Sequence, residues 1–225
     1  MNTNTIQTGP AIIVAGVIIA IAIFITNSPR DGSTVKVENA PDTKSTISFN
    51  LKDPNEHVLG SADAKVVMIE YSDIDCPFCR KFHPVMEQIV AEYDGDVAWI
   101  YRHFPLEGLH PDAFTKAKAT ECVAQALGND AFWKYMNVLI TNEVAVSMLD
   151  DEAVKIGMTA GAFNTCMDGT ASDEAIQADI QSGISIGTTG TPNTILINSK
   201  GEQEIIKGAA DYASVKAKID KLLAE

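Results

Sequence analysis

The spacing of apolar positions divides the chain. Ala11–Ile25 reads AIIVAGVIIAIAIFI, without a polar side chain, after a tail at residues 1–9. With Pro10 and Thr26 it would make about 25 Å of helix at ~1.5 Å per residue, the short end of what crosses a hydrocarbon core of ~30 Å. Residues 27–47 (NSPRDGSTVKVENAPDTKSTI) mix charges with Ser, Thr, Pro and Asp and show no apolar periodicity, the pattern of a linker. From about residue 48 the pattern turns globular. Val66–Tyr71 (VVMIEY) and Val97–His103 (VAWIYRH) are β-branched and aromatic runs suited to buried strands. Between them, Phe82, Met86, Ile89 and Val90 recur at helical spacing from about Pro77 to Tyr93, so strand, helix and strand form a βαβ unit. Residues 110–187 then read as helix throughout, from an Ala-rich stretch around Cys122 to Asp173–Ile186. Strand signals return at Thr194–Asn198 and Glu204–Lys207, and Asp211–Leu223 closes as an amphipathic helix. The expected domain, residues 48–225, is thus an α/β sheet of βαβ and ββα halves separated by an all-helical insertion.

The N-terminal run has two readings. The sequence after it, TNSPRDG, offers no A-x-A-like cleavage site, and Pro29 adjoins the nearest small-x-small position, Thr26-x-Ser28. An uncleaved transmembrane anchor at residues 10–26 is therefore favoured over a removed signal peptide. Arg30 and Lys36 follow the run and no cation precedes it, so a literal positive-inside count would place the C-terminal side in the cytoplasm, on the vote of two charges.

Composition removes one class of function. Lys and Arg number 17 against 30 Asp and Glu, a net charge of -13, so no basic face exists to neutralise phosphates and nucleic-acid binding is excluded. Residues 1–45 balance Arg30, Lys36 and Lys44 against Asp31, Glu38 and Asp42, so the acidity belongs to the globular part.

The candidate chemistry lies in four cysteines. Cys76 and Cys79 form C-P-F-C between a strand and a helix start, where unpaired N–H groups and the positive end of the helix dipole stabilise an anion. Cys76 is the expected nucleophile, activated as a thiolate, and Cys79, one turn deeper, the resolving thiol. Pro77 suits the first helical position because it lacks an N–H. The alternatives are a structural staple or a metal site; no second C-x-x-C is present, and although His83 could complete a Cys76–Cys79–His83 copper or zinc site, a packed or capping histidine before Pro84 is the favoured reading. Asp73 and Asp75 flank the nucleophile; as like charges they would oppose its thiolate, and they read as loop and cap residues that moderate it. Setting aside the local pair leaves Cys122 and Cys166, both on expected helices of the insertion, as a bridge or as two buried thiols. Arg102 and His103 read as structural residues at a strand end, and Trp99, Phe132, Trp133 and Tyr135 as packing residues.

Taken together, EYSDIDCPFCRKFH, YRHFPL, ECVAQALGNDAFW and GTTGTP resemble the DsbA-like thiol-disulfide oxidoreductases, particularly their membrane-anchored bacterial members, from about His57 to the C-terminus. The resemblance implies a thioredoxin-like fold with a helical insertion, an extracytoplasmic domain on a single-pass anchor and no cofactor. It also implies disulfide exchange with reduced substrate proteins, and a membrane quinone-linked reoxidant of the DsbB or VKOR type. Net oxidation of exported proteins is the expected direction, with reduction or isomerisation the alternative. Glu70 matches the buried acid that relays a proton to and from the resolving cysteine, against the reading of an ordinary edge glutamate. Thr191-Pro192, after Gly190, matches the cis-proline loop that faces the disulfide, against a trans turn proline. The family prototype carries His where this chain has Phe78.

Overall fold

The computed structural model describes residues 33–37 and 45–225. The anchor expected at residues 10–26 lies outside the described residues. Among the described residues no helix is long and apolar enough to cross a membrane.

Within the stretch expected to be a linker, β1 (Ser33–Val37) pairs antiparallel with β2 (Ser45–Phe49), aligning Val35 with Ile47. That expectation is corrected: short alternating segments, STVKV and STISF, were masked by the polar residues around them. Burial of Ile47 and Phe49 against the apolar side chains of the domain fixes β2 there.

The main sheet has the order β3 (His57–Gly60), β5 (Val97–His103), β4 (Val66–Ser72), β6 (Asn193–Asn198), β7 (Gln203–Lys207). β4 and β5 are parallel, joined through α1 (Pro77–Glu92); the other neighbours are antiparallel. Both central strands are buried along their whole length, which is why they read as continuous apolar runs rather than alternating ones. β3 was not anticipated, since a four-residue strand with one fully buried side chain, His57, leaves almost no pattern. Its end requires glycine: Gly60 has φ +111°, and a Cβ would lie 2.7 Å from the Val97 carbonyl oxygen.

Between β5 and β6 the chain makes α2 (Ala113–Leu127), α3 (Asn129–Asn142), α4 (Leu149–Lys155), α5 (Ala160–Asp168) and α6 (Ala171–Ser185), close to the expected bounds of the insertion. α7 (Tyr212–Ala224) ends the chain, opened by Asp211, whose carboxylate accepts from the Ser214 N–H. Alternation in the central strands sorts their side chains onto two faces. Val66, Met68, Trp99 and Leu196 face α1, α3 and α7, whereas Val67, Ile69, Tyr71, Ile100 and Ile195 face β2 and α6. α6 reaches its face through Gly183, where a Cβ would lie 2.8 Å from the Phe104 ring and 2.9 Å from Tyr71.

The insertion is fastened to the sheet by buried polar groups. Glu121 of α2 accepts from His57 Nε2 at 2.5 Å and from His103 Nε2 at 3.3 Å. Against the cost of burial, these bonds hold the Glu121 carboxyl at about 2, and burial pushes His103 below its ordinary value. Arg102 binds Glu56 Oε1 at 2.6 Å and the Ser48 carbonyl at 2.7 Å, tying β5 to β2.

Candidate functional site

The end of β4 delivers the chain to a tight turn, Asp73–Asp75, and Cys76 caps α1 with extended φ and ψ while Pro77 occupies its first turn. Cys76 and Cys79 are both buried and not bonded to each other, whereas Phe78 between them is 60% exposed. The Cys76 thiol falls to about 5 because the Cys79 thiol hydrogen-bonds to its anion; burial opposes this, and Thr191 and the N–H groups of Cys79 and Phe78 reinforce it. Cys79 moves the other way, far above an ordinary thiol, through burial, its bond to Cys76 and the nearby Glu70. One sulfur is therefore a stable anion and its neighbour a proton holder, which is the division of labour a nucleophile and a resolving thiol need.

The flanking acids are turn residues, as expected, and their carboxylates are engaged. Asp75 is engaged by Arg80 at 3.0 Å and by Lys116 Nζ at 2.5 Å. The Asp73 carboxylate accepts from the Asp75 N–H, the Leu106 N–H and His110 Nδ1, each at 2.8 Å. Arg80, Lys116 and His110 had no signal in the sequence, because they reach the turn from a helix flank and from the start of the insertion.

Across the sheet, Thr191-Pro192 is a cis peptide, and the Thr191 carbonyl oxygen lies 3.5 Å from Cys76 Sγ. The Pro192 carbonyl accepts from the Gly208 N–H at 2.8 Å, anchoring the loop to the segment after β7. Glu70 sits two residues inside β4 on the face towards α1, opposite Tyr101 and Thr194 in the neighbouring strands. It is 1% exposed, and its Oε2 has no hydrogen-bond partner. Burial raises its carboxyl to about 7; the dipoles of Ser72 and Trp99 offset this in part, and the Cys76 anion adds to it.

That shift has a measurable consequence. A carboxyl raised from 4.5 to about 7 keeps its proton in the folded state where the unfolded chain has lost it, so stability falls as pH rises through that window and the full cost stands above it. The cost is about 3 kcal/mol. Glu70→Gln should be more stable than the parent by that amount at pH 8 and equal to it at pH 4, read by denaturant unfolding. Asp179 is raised to about 7 as well, so the difference between parent and variant is the quantity to follow. A pH-independent difference would place Glu70 in contact with water.

The other candidates are placed plainly. His83 packs edge-on against Trp99 with ring centroids 5.0 Å apart, and its Nε2 lies 2.5 Å from Asn137 Oδ1, so it belongs to the core beneath α1. Among the described residues, the three-residue grouping with metal-ligand spacing is His57, His103 and Glu121, not Cys76, Cys79 and His83, and its donors already bind one another. Cys122 and Cys166 form a disulfide joining α2 to α5, with Cα atoms 5.7 Å apart.

The thioredoxin family profile matches residues 52–221. The chain belongs to the thioredoxin family. Among solved structures of that fold, Pseudomonas aeruginosa DsbA2 is 25% identical with a TM-score of 0.58, over 74% of this chain and 94% of that one. A periplasmic thioredoxin-like protein from Salmonella enterica serovar Typhimurium is 25% identical with a TM-score of 0.62, over 78% and 94%. The domain is a DsbA-like member of the thioredoxin superfamily. Curated relatives of this thioredoxin-family chain include the Na(+)/H(+) antiporter NhaA 1 of Mycobacterium sp. (strain KMS), 30% identical over 164 residues. The chain spans 25% of that protein's length, and 14% of the NhaA 1 of Mycolicibacterium gilvum (strain PYR-GCK).

Proposed function

We propose that this domain is a net oxidase, forming disulfides in exported proteins. The observation that carries the reading is the asymmetry of the pair: a Cys76 thiol held near 5 stabilises the reduced form, and a disulfide whose reduced form is stabilised is a strong oxidant. In the oxidised enzyme a substrate thiolate attacks Cys76 Sγ, the Cys76–Cys79 bond breaks, and Cys79 leaves and takes up a proton. Glu70, with a carboxyl near 7, can supply that proton. A second substrate thiolate then attacks the substrate sulfur of the mixed disulfide, and Cys76 departs as its stabilised anion. The substrate leaves with a disulfide and the enzyme with a dithiol.

The dithiol must be reoxidised, and a membrane quinone-linked protein of the DsbB or VKOR type fits an apolar N-terminal run that would hold the domain at the membrane. The domain then faces the extracytoplasmic side, where such an oxidant is not short-circuited by cytosolic thiols. Phe78 in place of the prototype's His changes the supply of stabilising groups without removing those from Cys79 and Thr191.

Equilibration with glutathione decides the direction. The expected potential lies closer to the roughly −120 mV of a strong oxidant than to the roughly −270 mV of thioredoxin. A value near the latter would make the domain a reductase.

A further inference from the structure

We propose that Asp73 and His110 are a positioning pair that sets the geometry of both cysteines and ties it to the loop leading into the helical insertion. The inference deepens the proposed function and rests on Cys76 and Cys79 being the exchanging pair.

The main chain of Asp73 touches both halves of the dithiol. Its N–H donates to Cys79 Sγ at 3.5 Å, and its carbonyl accepts from the Cys76 N–H at 3.1 Å. Any rotation about the φ or ψ of this one residue moves a hydrogen bond at each cysteine. A residue with that leverage must be held, and its side chain shows how. The Asp73 carboxylate is fully buried, and Oδ1 accepts from the Asp75 N–H at 2.8 Å. Oδ2 accepts from the Leu106 N–H and from His110 Nδ1, each at 2.8 Å. The first bond closes the turn locally. The other two come from the segment between β5 and α2.

That segment is built to present them. The Phe104 N–H donates to the Ser72 carbonyl at 2.7 Å, laying the loop beside the end of β4. The Leu109 and His110 N–H groups both donate to the Leu106 carbonyl, at 2.8 and 2.9 Å, curling the chain so that residue 110 returns over residue 106. The His110 carbonyl then accepts from the Ala113 N–H at 3.1 Å, at the start of α2. A buried carboxylate with three donors is satisfied; removing one leaves it underbonded in a place water does not reach. His110 is the only side chain among the three donors, so it is the position at which a substitution changes the pair without altering the main chain. A neutral imidazole with its proton on Nδ1 is sufficient, since the acceptor is the carboxylate.

The consequence for chemistry runs through Cys79. Its thiol is the chief stabiliser of the Cys76 anion, and the Asp73 N–H fixes where its sulfur sits. Releasing the pair lets the turn relax, weakens the Cys79–Cys76 hydrogen bond and raises the Cys76 midpoint. A residue needed only for folding would lower stability without moving that midpoint.

The experiment compares His110→Ala with His110→Asn, whose amide N–H can reach where Nδ1 stands; His110 is partly exposed, and both main-chain bonds to Asp73 remain. Tyr93→Phe, which removes a bond to Asp220 far from the dithiol, serves as a stability control. In His110→Ala the Cys76 thiolate midpoint should rise by half to one pH unit, and the equilibrium constant for oxidising glutathione should fall about threefold to tenfold. His110→Asn should restore both to within twofold, and Tyr93→Phe should leave both unchanged. Should His110→Ala fold poorly, Asp73→Asn, which keeps one acceptor oxygen and loses the other, is read in the same way. Parental values in His110→Ala, or in Asp73→Asn, would overturn the positioning pair. A parent protein with an ordinary thiol and no exchange would instead overturn the proposed function, so the two failures are distinguishable.

Discussion

Followed by thiolate absorbance, the reduced protein should show one cysteine ionising near pH 5, and that signal should vanish in Cys76→Ser together with all exchange activity. The size of the effect follows from the shift: a thiol lowered from 9.0 to about 5 is almost wholly ionised at neutral pH. An unshifted one would be about one per cent ionised. Because the Cys79 thiol is the largest contributor, Cys79→Ala should move the midpoint upward, to a value between 5 and that of a free thiol near 8.5. The Phe78 N–H at the helix start and the Thr191 side chain remain in that variant, so the midpoint should not reach the free value. With oxidised substrates, Cys79→Ala should also accumulate mixed disulfides formed by attack of the Cys76 thiolate, since the neighbouring resolving thiol is gone and only a substrate thiolate can release them. A midpoint at or above 8.5 in the parent protein would show that burial outweighs the hydrogen bonds to Cys76.

Removal of the second pair should act on stability alone. Cys122–Cys166 closes a loop across 44 positions of sequence and joins α2 to α5. Loop-closure entropy assigns such a link about 4 kcal/mol. α5 has little else to hold it, since Phe163 is its one fully buried side chain. Replacing both cysteines with Ala should therefore lower unfolding free energy by about that amount and expose Ala160–Asp168 to proteolysis, while the Cys76 midpoint stays near 5. A loss below 1 kcal/mol would mean that the packing of α5, not the cross-link, holds the insertion closed.

How much of this was legible beforehand depended on the range of the interaction. The central strands and α1 announce themselves because burial on both faces, or on one helical face, writes a local pattern. C-P-F-C is visible because sequence and helix start coincide. The disulfide between Cys122 and Cys166 could be reached once the local pair was set aside. The partners of Asp73 and Asp75 could not, since Arg80, His110 and Lys116 are scattered in sequence and nothing in a lone charge says what faces it. His83 is a case where the plainer reading is the right one: spacing from Cys79 offers it as a ligand, but packing before Pro84 is favoured, and Asn137 and the ring of Trp99, both remote in sequence, are what it packs on. β1 to β3 were missed because short strands whose partners are non-local carry too few positions for an alternation to stand out.

The position of the insertion also bears on how the protein comes to be made. Cys76 and the Thr191 carbonyl that faces it are separated by 115 positions, with all of α2 to α6 between them. A growing chain that has completed β4, α1 and β5 already carries the C-P-F-C turn but not the strand that brings Thr191 against it. Cys79 and the N–H groups of the first turn already favour the Cys76 anion at that stage, but the contribution of Thr191 is still missing. Only when β6 pairs with β4 is the enclosure around Cys76 complete. The Thr191 wall of the site is thus the last part to be made, after the helices that carry Cys122 and Cys166 have emerged.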